Sequence, residues 1–169
     1  YQLAGHQGIV KSIAWSPKGT QLAWGGSSPE GGELCVWDAV HGGQSRKMIG
    51  HPESVQALAW GMNDDQLVSG GDDGTLRWWD VQNEKCLWVC EAHQGMVRSL
   101  RRSPDGRKLA SSGIDGVIML WDLQNGRHLQ TLQRDRPYER LNITGIRGVT
   151  EAQKSILRAL GAFEERRNG

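Results

Sequence analysis

Two sets of histidine, serine and aspartate stand at matching offsets in this 169-residue chain: His51, Ser69 and Asp73, and His93, Ser111 and Asp115. A nucleophilic triad needs those three residue types: a hydroxyl to attack, an imidazole to take its proton, and a carboxylate to hold the imidazole. The spacing argues for another job. Serine follows histidine at one fixed offset in both sets, and the steps from His51 to His93, Ser69 to Ser111 and Asp73 to Asp115 are equal. A single active site has no use for a set that recurs once per repeat. Metal binding fares no better, because His6, His51 and His93 fall one to each repeat. None has a second ligand at the short spacing a zinc site uses. No catalytic residue, metal or cofactor is expected.

The three cysteines carry little chemistry. Cys86 and Cys90 are four apart on a predicted strand, which puts both thiols on one side, roughly 13 Å apart and too far for a disulfide. Cys35 reads as a small core residue. Unpaired thiols fit a reducing compartment, so the expected location is cytoplasmic. No apolar run is long enough to span a membrane, and no signal peptide is indicated. With 20 basic and 19 acidic side chains the net charge is +1, which argues against a dedicated nucleic-acid binder. Residues 134–169 alone are mildly basic, with 8 basic and 5 acidic side chains.

The elements that position these residues follow from an internal repeat. Trp37-Asp38, Trp79-Asp80 and Trp121-Asp122 recur at one constant stride, and that stride and signature mark propeller blades. Before each lies a histidine, then a run of roughly alternating polarity: 10–15, 55–60 and 97–102. Alternation of this kind is what a half-buried strand requires. Turns follow at Ser16-Pro17-Lys18-Gly19, Gly61-Met62-Asn63-Asp64 and Ser103-Pro104-Asp105-Gly106, built from turn formers. A second strand starts at Gln21, Gln66 and Lys108, a third ends on each Trp-Asp pair, and a weaker fourth closes the unit. The first unit has three extra residues within 27–33. They are expected in the loop between its second and third strands, since insertions map to loops on one face.

On these positions, residues 1 to about 133 resemble WD-repeat blades. The resemblance implies an all-β fold: a β-propeller of four-stranded antiparallel blades, three present, as part of a ring of six to eight. The units fall at about 6–50, 51–92 and 93–133, with 1–5 as the end of a preceding blade. It also implies a hydrogen-bonded tetrad in each regular blade. The second unit supplies His51, Ser69, Asp73 and Trp79, and the third supplies His93, Ser111, Asp115 and Trp121. The first has His6 and Trp37, but Trp24 replaces the serine and no aspartate stands in register. That blade is expected to rely on packing.

The family's ligands meet the rim of loops entering the innermost strands. Carried over, the candidates are Ile9, Lys11, Ser54, Gln56, Asp72, Met96, Arg98 and Ile114. A rim mixing apolar and cationic groups suits a protein interface. Arg101 and Arg102 are the odd pair, standing where the earlier units have Ala-Trp. They are expected either at a solvated rim or paired with tail carboxylates such as Glu139 or Glu164.

The repeat stops at Arg134, and 134–169 is a tail. Thr150-Glu151-Ala152-Gln153 reads as a capping box, opening a helix of about 151–161 with Gly161 near its stop. Its apolar stripe needs a surface to cover, because so short a helix is marginal alone. The stretch from Arg136 to Ala162 is similar to the ends of large bacterial WD-repeat proteins that carry an ATP-driven switch domain upstream. The implied function is a protein-interaction or ligand-sensing scaffold, the sensor end of such a switch. The alternative is a propeller region of an enzyme whose catalytic domain lies outside this chain. Expected partners are proteins, with the remaining blades supplied by another chain, further copies or a longer parent sequence, and with no membrane or nucleic acid.

Overall fold

The computed structural model describes residues 8–133 and 141–164. His6, the expected strand end at 1–5, Glu139 and the rest of 134–140 lie outside the described residues. The chain divides into two compact units, Tyr1–Leu132 and Gln133–Gly169.

Among the described residues twelve strands form three four-stranded antiparallel sheets. The first blade is β1 (Ile9–Trp15), β2 (Gln21–Ser28), β3 (Gly31–Asp38) and β4 (Arg46–Met48). The second is β5 (Val55–Trp60), β6 (Gln66–Gly71), β7 (Thr75–Asp80) and β8 (Lys85–Glu91). The third is β9 (Val97–Arg102), β10 (Lys108–Gly113), β11 (Val117–Asp122) and β12 (His128–Gln133). Sequential neighbours pair throughout, so each blade is a meander. The aspartate of each Trp-Asp pair fixes the turn to the outer strand. Asp38 accepts from the backbone N–H groups of Val40 and His41, Asp80 from Gln82 and Asn83, and Asp122 from Gln124 and Asn125.

The strand period of two gives every blade two working faces, and adjacent blades bury them against each other. Between the first and second, Ala23, Leu34, Val36 and Met48 meet Val55, Leu58, Trp60 and Leu67. Between the second and third, Ala57, Ala59, Val68 and Trp78 meet Val97, Leu100, Leu109 and Trp121. Backbone carbonyls at these seams are reached by side chains of the neighbouring blade. Trp60 donates its indole N–H to the Ala14 carbonyl at 2.9 Å, and Trp78 does the same to Leu123 at 3.0 Å. Burying these two rings, Trp60 and Trp78, therefore orphans neither donor.

Register explains what the end faces expose. Val55, Leu58 and Trp60 pair with Gly71, Ser69 and Leu67, and Val97, Leu100 and Arg102 hold the same places in the third blade. The first-blade counterparts are Val10, Ile13 and Trp15. These are 44%, 66% and 57% exposed. At the other end Ile118 is also exposed.

Two sequence expectations are corrected. The three extra residues of the first blade do not enlarge a loop. In the second and third blades the inner hairpin has six-residue strands around three connecting residues. In the first, β2 and β3 are both eight residues long and only Pro29 and Glu30 connect them. Ser28 pairs directly with Gly31, so the insertion lengthened the ladder. The cysteines are the second case. A bulge in β8 pairs Trp78 with Trp88 but Trp79 with Cys86, leaving Leu87 as the extra residue. One added residue flips everything beyond it to the opposite face. Cys86 accordingly lies across from Trp79 and Cys90 across from Leu76, and the two thiols occupy opposite faces. All three cysteines are free. Burial, reinforced by Glu33, raises the Cys35 thiol to about 11, so it behaves as a packed apolar group.

In the second unit a helix, α1, spans Glu151–Ala159 behind a capping box. Gln153 N–H donates to Thr150 Oγ1, and Thr150 N–H donates back to Gln153 Oε1 at 2.8 Å. No helix residue is buried. A short parallel bridge joins Asn142 and Phe163, with Ile143 and Ala162 the buried apolar residues among the unit's described residues. Glu164 pairs with Arg158 at 2.8 Å.

Candidate functional site

The serine–histidine–aspartate sets sit where β6–β7 and β10–β11 meet the connection entering the blade. His51 Nδ1 lies 3.1 Å from Asp73 Oδ2, and its Nε2 lies 2.7 Å from Ser69 Oγ. The Trp79 indole N–H donates to the same oxygen at 2.7 Å. An ionised carboxylate can only accept, so Nδ1 carries the hydrogen. The serine, already accepting from tryptophan, then donates to Nε2. The third blade repeats the arrangement: His93 to Asp115 at 3.1 Å, His93 to Ser111 at 2.8 Å, and Trp121 to Ser111 at 2.9 Å. Ser69 is fully buried and Ser111 nearly so. A hydroxyl enclosed this way has no approach for a substrate, and its hydrogen-bonding capacity is spent on the neighbouring rings.

Each aspartate also organises its hairpin. Asp73 accepts from the Thr75 backbone N–H and hydroxyl, and Asp115 from the N–H groups of Val117 and Gln94. Burial is the largest influence on the Asp73 carboxyl and pushes it upward. The His51 bond and the Thr75 bonds outweigh burial and bring it down from 3.8 to about 2. For Asp115 too, burial is the largest influence, and the bonds from Val117, Gln94 and His93 outweigh it to lower the carboxyl. Arg77 Nη2 stands 3.5 Å from Asp73 Oδ2, adding a cation to the second-blade set that the sequence offsets gave no hint of.

The eight rim residues gather at one end of the inner strands. A bulge occurs at the same place in all three: Lys11 in β1, Gln56 in β5 and Arg98 in β9 are the extra residues. A bulge frees a residue from the ladder and re-aims its side chain. Lys11 and Arg98 are exposed, with no ion pair or side-chain hydrogen bond among the described residues, while Gln56 donates to Asp72 at 2.9 Å. Backbone bonds lock the neighbouring loops, Asp72 N–H to Ser54 O at 2.9 Å and Ile114 N–H to Met96 O at 3.0 Å. Ile9 and Ile114 are 61% and 54% exposed. Thus Met96, Arg98 and Ile114 form one patch on the third blade, Ser54, Gln56 and Asp72 another on the second, and Ile9 and Lys11 a third on the first.

The family model described as "WD domain, G-beta repeat" matches residues 1–38, 42–80 and 84–122. The chain belongs to the WD40 repeat family. Similar proteins include Meiotic fizzy-related protein 1 of Schizosaccharomyces pombe, 42% identical over 77 residues, covering 46% of this chain and 17% of that protein. Transducin beta-like protein 3 of Bos taurus is 34% identical over 103 residues, covering 60% and 12%. WD repeat-containing protein srw1 of Schizosaccharomyces pombe is 39% identical over 92 residues, covering 54% and 16%. The chain thus spans less than a fifth of the length of each. WD40 repeats support a protein-interaction scaffold.

Among the described residues of these WD40 blades no group of His, Cys, Asp or Glu is placed to hold a metal. Among the described residues no helix is long and apolar enough to cross a membrane. The first blade solves its polar problem differently from the others. Trp24 fills the serine position and is buried, with its indole N–H unpartnered among the described residues. Trp37 turns its N–H to the Gly43 carbonyl at 3.2 Å. With only Pro29 and Glu30 between β2 and β3, the three-residue turn that holds Asp73 and Asp115 elsewhere does not form.

Proposed function

We propose that the chain is a protein-interaction scaffold whose binding surface is the rim at the bulged ends of β1, β5 and β9. The observation that carries this reading is the threefold recurrence of the bulge. It takes Lys11, Gln56 and Arg98 out of the hydrogen-bond ladder at one height, and two of the three are cations with no partner among the described residues. Beside them Met96, Ile9 and Ile114 supply apolar surface. A charged anchor within apolar contacts is the composition that concentrates binding energy. The tetrads lie directly beneath, and we assign them the role of holding these loops in register.

The uncovered faces at either end of the array, Val10, Ile13 and Trp15 on one side and Ile118 on the other, suit packing by further blades. The narrower role as sensor end of an NTPase switch rests on the likeness of the C-terminal stretch alone, part of which lies outside the described residues. The test of the rim is partner binding with Arg98→Glu and Met96→Ala. Loss of binding with an unchanged unfolding midpoint supports it. Unchanged binding to both variants rejects it.

A further inference from the structure

The repeat allows the two seams between blades to be compared position by position. At the end opposite the rim, two side chains span the seam between the first and second blades. Arg46 donates to Gln21 Oε1 at 2.7 Å and to the Val81 carbonyl at 3.0 Å. Asp64 accepts from the Lys18 N–H at 3.1 Å and from the Thr20 hydroxyl. Neither group recurs in the next seam. Arg46 pairs with Val36 where Trp88 pairs with Trp78, so a tryptophan replaces the guanidinium. Gly61 N–H donates to the Gln66 carbonyl as Ser103 does to Lys108, which matches Asp64 with Gly106. A cavity of about 430 Å³ stands between the second and third blades in place of the two missing side chains.

The groups that would meet a guanidinium are still there. Gln66 and Leu123, the counterparts of Gln21 and Val81, both line the cavity. Gln66 donates its amide to the Gln124 carbonyl at 3.5 Å, and its Oε1 has no donor among the described residues. Asp65, beside Gln66, is exposed and its carboxylate has no partner among them either. Asp122, beside Leu123, differs from the other two Trp-Asp carboxylates. Asp38 Oδ2 lies 3.0 Å from the His41 ring, and Asp80 Oδ2 accepts from Asn83 at 2.8 Å. Asn125 instead turns its amide oxygen to the Arg127 N–H, which leaves Asp122 Oδ2 without a side-chain donor among the described residues. Arg107 lines the same cavity, exposed, with no ion pair among them.

We infer that this cavity binds a small molecule with a guanidinium group at one end and a carboxylate at the other. The guanidinium takes the place that Arg46 holds in the preceding seam, between the Gln66 side chain and the Leu123 carbonyl. Asp65 and Asp122, the chain neighbours of those two contacts, supply the counter-charge. A planar fork of five donors matches a carboxylate bidentately, which an ammonium group cannot do. Arg107 takes the ligand's own carboxylate by the same pairing in reverse. Met62, 61% exposed and lying against Gly106, gives the ligand's alkyl chain a flexible apolar wall. Pockets for small molecules run from about 300 to 1,000 Å³, so the cavity admits a whole ligand of this kind.

The experiment titrates the purified chain by calorimetry with L-arginine, citrulline, agmatine and a capped tripeptide carrying arginine at its centre. Arginine binds about tenfold more tightly than citrulline, which keeps the shape and lacks the charge, the loss of one charge-assisted interaction. It also binds more tightly than agmatine, which lacks the carboxylate, and Arg107→Gln removes that advantage. Asp65→Asn weakens arginine binding about tenfold with an unchanged unfolding midpoint, since the Asp65 carboxylate has no partner to lose. Arg98→Gln leaves arginine binding intact even where rim binding is lost, which separates this site from the rim. The inference is overturned if citrulline binds as tightly as arginine, or if Asp65→Asn binds like the parent chain. Equal affinity for the capped tripeptide would overturn the small-molecule assignment in favour of a protein side chain.

Discussion

Trp79 donates its indole N–H to Ser69 Oγ over 2.7 Å, and His51 meets the same oxygen at 2.7 Å. One buried hydroxyl therefore satisfies two buried rings. Ser69→Ala leaves the Trp79 indole N–H and His51 Nε2 without that partner, and an unsatisfied buried polar group costs about 1–3 kcal/mol. Urea unfolding should register a loss of roughly 2 kcal/mol or more for Ser69→Ala and a similar one for Ser111→Ala. Losses below about 0.5 kcal/mol, the ordinary scale for surface changes, would mean the tetrads do not hold the blades.

Asp73 makes stability depend on acid pH with a definite sign. Its folded value, about 2, lies below the ordinary 3.8. The ionised form is thus favoured by folding, and its contribution is complete above about pH 4. It falls away as the pH drops from about 4 toward 2. Asp115, lowered in the same direction, adds to the slope. Chemical unfolding midpoints followed from pH 5 to 2 should decline less steeply in Asp73→Asn than in the parent chain. Parallel declines would assign the acid sensitivity elsewhere.

Gly74 and Gly116 occupy the same turn position in successive blades, both with φ of +75°. Their surroundings differ. A Cβ on Gly74 would stand 2.4 Å from the His93 carbonyl, where the chain crosses to the third blade, while one on Gly116 meets nothing within 4 Å. Alanine at either site bears the left-handed strain, about 1 kcal/mol, and only Gly74→Ala adds a backbone clash. Thermal unfolding should therefore show a clearly larger loss for Gly74→Ala, and equal losses would contradict the tight crossing.

The parts of this fold that a sequence discloses are those set by repetition. The constant Trp-Asp stride and the fixed His–Ser offsets each record a constraint met more than once, so the second copy excludes chance agreement. Single events are illegible. The extra residues at 27–33 could enter a loop or lengthen a ladder, and only pairing of Ser28 with Gly31 decides. The bulge at Leu87 inverts the relation of Cys86 and Cys90 without leaving a mark in residue type. The rim is an intermediate case. Its residues are reachable through the family pattern, but the bulges that re-aim Lys11, Gln56 and Arg98 are backbone events that no side-chain spacing encodes.

The rim proposal has one most direct measurement. A photo-crosslinking residue is placed at Gln94, an exposed residue on the connection that leads into Met96 and Arg98, and in a second protein at Asn125, an exposed turn residue at the opposite end of the same blade. Each is irradiated with a binding partner present. The account predicts a discrete cross-linked species from position 94 that disappears when Arg98→Glu and Met96→Ala are added, and none from position 125. Equal cross-linking from both positions, or capture from position 125 alone, would contradict it.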